Sequence, residues 1–477
     1  MIQPDLLLSE VSFNPSQNPA QNASAIKPSK LLAFKPILSK TLARQHRFYV
    51  TGVDAMIIRT RGPAPLDEIG EDLLYHLYPC CQRILHTVVS EEAFWMQFYH
   101  HYCTTQSIAW ENETARQILD ALMETAVGEA YTDIHFTPNE SGMLVRFRHD
   151  GLLRADRVLP KILARRCLNR LKILGSMNIA QQHTPQDGRF SMTVLGRLID
   201  CRLSTHPTVW GEKIVIRLLD KKRAFVPLKD LGFTPHVQDV LHHILQKPAG
   251  LFVVTGPTGA GKTTTLYAIL QQLNQPDVNI VTLESPVEYQ LPGITQTEAE
   301  RRSITYTEGL RSLLRQDPDI ILIGEIRDAE TAQMAMRAAM TGHKVLTTLH
   351  TQDVFGVLPR LLDFNIKEET IVNHVSGVLS QRLVRKTCVA CAGEKNSGDD
   401  VVACPACHGT GFRGRIAVGE ILSMDLHVPN RGAEMLDPEA IRQAAQKKGY
   451  IPLKKTAEML VRAGLTTACE ISRVLGQ

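Results

Sequence analysis

The sequence predicts an α/β protein built round a parallel sheet, and three observations predict it. From about residue 236, the apolar segments LFVVTG, NIVTLE, IILIGE and KVLTTLH recur with helical stretches between them. Strands that alternate with helices in this way join as βαβ units, whose strands run parallel. The first of these strands leads into a glycine-rich loop, and the loop leads into the helical stretch TTLYAILQQL. Ahead of them, a helix-and-strand pattern between about 112 and 220 marks a second, smaller α/β unit.

The remaining elements follow in chain order. Residues 1–30 read as a disordered N-terminus, because 14–30 are rich in Asn, Gln, Ser and Pro and cannot bury a core. Residues 31–111 read as a small α/β domain. In it FYVTGVDAMIIRT forms two strands round a turn, and LDEIGEDLLYHLYP and SEEAFWMQFYHHY form amphipathic helices. Nothing in that domain suggests chemistry. In 112–220, ETARQILDALMETAVGEA and LPKILARRCLNRLKILG are helices. TDIHFTP, MLVRFRHDG, FSMTVLG, RLIDCRLST and EKIVIRLLD are strands. A charged, proline-containing connector covers 221–235. The last domain covers 236–477, holds a cysteine-rich insertion within 385–416, and closes on helices.

Bulk properties narrow the function classes. A chain of 477 residues suggests two to four domains. Its 44% hydrophobic and 21% charged residues are ordinary for a folded protein. A net charge of +4 gives no basic footprint, so nucleic acid is not expected as a partner. No run of about 18 apolar residues occurs, so no helix is expected to span a bilayer. The start, MIQPDLLLSEVSFNPSQ, lacks the basic and apolar parts of a secretory signal. The expectation is a cytoplasmic protein, whose ten cysteines are buried apolar groups or metal ligands rather than disulfides.

The loop comprises Gly256, Pro257, Thr258, Gly259, Ala260, Gly261, Lys262 and Thr263, with Thr264 next on the helix. It fits G-x-x-x-x-G-K-[ST] between a buried strand and a helix, the setting of a phosphate-binding loop. Glycines let backbone N–H groups wrap phosphates at a helix N-terminus. Lys262 is placed for the β- and γ-phosphates, and Thr263 for Mg²⁺. ATP and Mg²⁺ are the expected ligands. In IILIGEIRD, Glu325 stands at the carboxyl end of an apolar strand, where ligands of α/β sheets bind. It is read as the acidic group beside Mg²⁺; a carboxylate capping the next helix fits the same position. VTLESPVEYQ offers Glu284 and Glu288, either of which could orient or deprotonate a water; solvated loop carboxylates fit equally. TGHKVLTTLHT carries His343 before a strand and His350 after it, the latter on the ligand side.

Period-two alternation in RLIDCRLST and KIVIRLL puts Arg202 and Arg217 on polar strand faces. An arginine from another domain or subunit can stabilise a γ-phosphate; two solvated arginines give the same pattern. Cys388-x-x-Cys391, twelve residues, and Cys404-x-x-Cys407 form a tetrad suited to a structural Zn²⁺ with four thiolates. The intervening gap is shorter than the usual range of roughly 15–20 residues.

GPTGAGKTTTLYAIL, LRSLLRQDPDIILIGEIRDAETA, TGHKVLTTLHTQD and QRLVRKTC…CPACHGTGFRGR together resemble the secretion ATPases that drive type II secretion and type IV pilus assembly. TDIHFTP, RFRHDG, PQDGRF and RLSTHPTVWGEKIVIRLLD extend the resemblance over about residues 112–477. The resemblance implies a homo-hexameric ring, with a variable N-terminal docking domain, a PAS-like second domain and a RecA-like ATPase domain carrying a zinc-binding insertion. It implies that Glu284 and Glu288 form an acidic box for water activation and Mg²⁺. It implies that Glu325 serves an atypical Walker B. His343 and His350 would form a His box, with His350 sensing the γ-phosphate. Arg202 and Arg217 would reach the nucleotide from the second domain. Implied partners are an inner-membrane platform protein and a membrane-anchored docking protein, with the ring cytoplasmic at the inner membrane. One departure stands out: the family's Glu-Asp-Pro-x-Glu reads Glu284-Ser285-Pro286-Val287-Glu288 here. The cysteine tetrad favours the extension type over retraction motors, which usually lack it. Two rivals remain open at this point, a nucleic-acid-translocating motor and a nucleotide-binding assembly module that does not hydrolyse.

Overall fold

The structure is a computed structural model that describes residues 49–54, 57–66, 74, 83–90, 94, 114–220, 225–299, 304–393, 404, 406–428 and 437–476. The expected disordered stretch and most of the two expected N-terminal helices lie outside these residues. The chain divides into two compact units, residues 1–106 and 107–477.

In the first unit, β1 (Tyr49–Asp54) and β2 (Ile57–Gly62) pair antiparallel, and β3 (Arg83–Val88) joins β2 in parallel. The two strands expected round a turn are therefore present.

The second unit opens with α1 (Ala115–Gly128). Thr114 and Gln117 close a capping box at its start, which satisfies two otherwise unpaired N–H groups. Six antiparallel strands follow: β4 (Asp133–Pro138), β5 (Gly142–His149), β6 (Leu152–Pro160), β7 (Gln186–Val194), β8 (Arg197–Thr208) and β9 (Gly211–Asp220). Their spatial order is β6-β5-β4-β9-β8-β7, and α2 (Lys161–Leu174) packs with α1 against this sheet. Ile199, Cys201 and Leu203 are buried as the alternation requires. The β8–β9 turn leaves Val209 and Trp210 exposed.

After a 3₁₀ turn at Leu228–Asp230, α3 (Pro235–Gln246) leads into the large sheet. Its strands are β10 (Gly250–Thr255), β11 (Ile280–Glu284), β12 (Thr295–Glu298), β13 (Ile320–Ile323), β14 (Lys344–Leu349), β15 (Val375–Thr387) and β16 (Phe412–Ser423). The order is β12-β11-β13-β14-β10-β15-β16; all neighbours are parallel except β15 and β16. Both faces are covered. Leu251, Val253, Val281, Leu283, Ile321 and Ile323 face one core; Phe252, Val254, Ile280, Ile320 and Leu322 face the other. That even division explains why these strands read as unbroken apolar runs. On the second face lie α3 and α4 (Lys262–Leu273). The first face carries α5 (Tyr306–Leu313), α6 (Ala329–Met340), α7 (Val357–Asp363) and α8 (Glu368–His374). Beyond the short α9 (Met424–His427), α10 (Pro438–Lys447) joins that face, while α11 (Leu453–Arg462) and α12 (Ala468–Leu475) cover the β15–β16 hairpin. Among the described residues no helix is long and apolar enough to cross a membrane.

Candidate nucleotide site and cysteine cluster

The glycine-rich loop leaves the sheet at the carboxyl end of β10. Thr255 Oγ1 donates to Leu349 O at 3.0 Å and accepts from Thr351 N at 2.9 Å, tying β10 to β14 there. Gly256 follows with φ 142°. A Cβ on it would stand 2.5 Å from the Gln381 carbonyl of β15, so only glycine lets the chain pass. Gly261, at φ 85°, caps α4, whose first-turn N–H groups are free for an anion. Gln381 is buried and clamps the loop: Nε2 donates to Ala260 O at 2.7 Å, and Oε1 accepts from Thr265 Oγ1 at 2.8 Å. Lys262 Nζ folds back to donate to Gly256 O at 2.8 Å and Pro257 O at 3.2 Å. Burial pulls this ammonium below its ordinary pKa; Glu325 opposes the shift and Arg382 adds to it. Pro257, Thr258, Gly259, Thr263 and Thr264 stand open to solvent.

Facing the loop is a cavity of about 180 Å³ lined by Lys262, Thr263, Glu284, Ser285, Glu288, Glu325 and His350. The carboxyl ends of β11, β13 and β14 supply its acidic wall. Glu325 pairs with Arg327, and its Oε2 lies 3.5 Å from His350 Nε2. Glu325 does not cap the next helix: Asp328 does, accepting from Thr331 N at 2.8 Å. The two glutamates of the acidic segment differ. Glu284 is 4% exposed, and both its oxygens are engaged. Tyr267 donates to one at 2.5 Å; Thr282 and Gln296 donate to the other at 2.7 and 3.2 Å. Burial raises its pKa, against the pull of those three hydrogen bonds. Glu288 is more open and sits 3.1 Å from Arg202 Nη1, while Arg202 Nη2 donates to Val287 O at 3.0 Å.

Two expected contacts are not made within this chain. His343 stands at the amino end of β14, the opposite end from the loop. Its Nδ1 lies 3.0 Å from Ala338 O at the end of α6, and its carbonyl accepts from Gly250 at the start of β10. A full strand separates it from His350, so its ring closes a helix terminus. Arg217 stays on its own sheet, donating to Asp133 Oδ1 at 3.2 Å with 60% of its side chain exposed. Sequence reasoning missed Tyr267 and Gln381. A glutamine inside the apolar run VLSQRLV was the available signal for the second.

The tetrad closes the end of the β15–β16 hairpin, where Thr387 pairs with Phe412. The sulfurs of Cys388, Cys391, Cys404 and Cys407 all lie within 4.8 Å of one another. Tetrahedral zinc with Zn–S bonds of about 2.3 Å needs sulfurs about 3.8 Å apart, so the cluster fits after a small contraction. Burial opposes charge on Cys407, but the Gly411 amide and the neighbouring thiols bring its pKa down to about 6. Next to it, His408 Nε2 lies 2.7 Å from Glu129 of the smaller sheet's domain, and Gly414 N donates to Asp150 Oδ2 at 2.8 Å.

Comparison with known proteins identifies the family. The family described as "Type II/IV secretion system protein" matches residues 109–473. The chain is 44% identical to "Type II secretion system protein HxcR" of Pseudomonas aeruginosa over 75% of this chain and 76% of that protein. It is 38% identical to "Type II secretion system ATPase E" of Vibrio cholerae over 75% of each chain. Among solved structures, the pilus retraction motor PilT with bound ADP superposes with a TM-score of 0.51 at 25% identity, covering 74% of this chain and 95% of that one. A chain matched over most of its length both by the family's profile and by curated members belongs to the type II/IV secretion system protein family.

Proposed function

We propose that this chain is a motor ATPase that hydrolyses ATP to add pilin-like subunits to a filament, in type II secretion or type IV pilus assembly. The observation that carries the reading is one cavity with the phosphate loop on one wall and Glu288, Glu325 and His350 on the other. On this reading the amides of 256–264 cradle the phosphates. Lys262 exchanges its two loop carbonyls for phosphate oxygens. Thr263 and Glu325 hold Mg²⁺, which offsets charge developing on the phosphoryl group. Glu288, the carboxylate with an open face, orients and deprotonates the attacking water. Glu284 shapes the segment, and His350 reports on the γ-phosphate. The four cysteines bind zinc in a closed structural site. A homo-hexamer at the cytoplasmic face of the inner membrane, working with a platform protein and a docking protein, is what the motif resemblance implies.

Mg-dependent ATP turnover by the purified full-length chain tests this. Lys262→Ala is expected to abolish nucleotide binding and turnover. Glu325→Gln is expected to keep binding and lose turnover by about 10²-fold or more. Tight binding without turnover in the unaltered protein would instead favour a non-hydrolysing assembly module. Ser285, on the cavity wall, keeps that second reading in play; a large gain from Ser285→Asp would support it.

A further inference from the structure

We propose that Tyr267 is a positioning residue: its hydroxyl, bonded to the Glu284 carboxylate and to the Glu288 amide at once, sets where the Glu288 carboxylate stands relative to the phosphate loop. This rests on the role given to Glu288 above.

Tyr267 lies on α4 five residues beyond Lys262, about one and a half helical turns. Its side chain belongs to the core beneath the sheet and is 2% exposed. A phenylalanine would fill that space equally well. The hydroxyl serves a different purpose. It donates to Glu284 Oε2 at 2.5 Å and accepts from Glu288 N at 3.3 Å. Glu284 is thereby the fixed end of the acidic segment, and the network continues past it. Gln296 donates to Glu284 Oε1 at 3.2 Å and to Tyr289 O at 3.0 Å, and accepts from Leu291 N at 2.6 Å. Ser285, Pro286 and Val287 form neither helix nor strand. The backbone of Glu288 therefore relies on Tyr267 from the ATPase core and on Arg202, bound to the Val287 carbonyl from the smaller sheet. One helix thus carries the phosphate-binding lysine at its first turn and holds the water-activating segment from its second. A shift of α4 would therefore pull on Glu288 directly, through the Tyr267 hydroxyl. A misplacement on the order of 1 Å at such a group costs up to about 10²-fold in rate.

The test is Tyr267→Phe in the full-length protein. We expect kcat to fall about tenfold, with the KM for ATP and nucleotide affinity changed less than about twofold, because no loop contact is touched. In a Glu288→Gln background the same substitution should cost less than about twofold, since the positioned group is gone. Amide hydrogen exchange across 284–290, measured without nucleotide, should speed up in Tyr267→Phe by more than in the rest of the domain, beyond what any fall in melting temperature from the unpaired Glu284 oxygen accounts for. Unchanged kcat, or equal losses in both backgrounds, would overturn the positioning role. So would unchanged exchange in the segment. Full turnover in Glu288→Gln would sink the role of Glu288 itself. The exchange result still decides, in that case and with a silent parent protein, whether Tyr267 holds the segment.

Discussion

Arg202 and Glu288 face each other 3.1 Å apart, one from the antiparallel sheet and the other from the parallel one. On the role proposed for Glu288, a guanidinium held on that carboxylate can exchange it for phosphate oxygens, since each presents a pair of oxygen acceptors to the guanidinium fork. Arg202→Ala should therefore lower kcat by at least about tenfold while leaving ATP affinity within a few-fold, and Arg202→Lys should rescue little of the loss. Steady-state kinetics on both variants checks this; a lysine variant with full turnover would reduce Arg202 to a simple counter-charge. At this scale much of the site was legible. The loop, Glu325 and His350 all follow strands whose carboxyl ends are marked by the sequence itself. The difference in burial between Glu284 and Glu288 was not legible. Two carboxylates four residues apart look alike until burial is known, and the group that distinguishes them, Tyr267, comes from a helix ending before either.

At the scale of elements, two devices hold the far end of the β15–β16 hairpin. One is Glu470 on α12. Burial works against its charge, but hydrogen bonds from Arg473 and Arg385 overrule it and hold its pKa down to about 2. A depressed carboxyl pKa adds stability that is full above the unfolded value of about 4.3 and disappears as pH falls through the folded one. The melting temperature of Glu470→Gln should lie below that of the unaltered protein near neutrality, and the gap should close between about pH 4 and 2. A gap constant with pH would refute the ion-pair account. The other device is the tetrad. Metal analysis should find roughly one zinc per chain, and Cys404→Ser should lose it and lower the melting temperature, with the phosphate loop still binding nucleotide. Four strands of the large sheet, β10, β11, β13 and β14, were foreseen because they are buried on both faces. β3, β6, β12, β15 and β16 were not. β12, TQTE, has no apolar alternation at all and exists only because β11 offers it a parallel partner. Such a strand is tertiary in origin and leaves no local trace.

At the scale of the molecule, the two sheets of residues 107–477 meet through charged pairs. Arg202 with Glu288, Arg189 with Glu298 at 3.6 Å, His408 with Glu129 and Arg415 with Asp150 at 3.7 Å all cross from one to the other. Polar pairing of this kind suits an interface whose two sides move relative to one another. The family resemblance pointed to arginines crossing from the smaller sheet, but not to their partners, which lie up to hundreds of residues away in the chain.

The Trp210 indole, 59% exposed at the β8–β9 tip, has a practical consequence. Trp95 and Trp110 complete the set of three. With both replaced by phenylalanine, the protein carries a single tryptophan, excitable apart from its ten tyrosines, at a known point on its surface. Its emission should start at the long wavelengths of a hydrated indole. Any neighbour that covers the tip, whether another copy or a membrane component, would then announce itself as a blue shift during titration, with no need to follow hydrolysis.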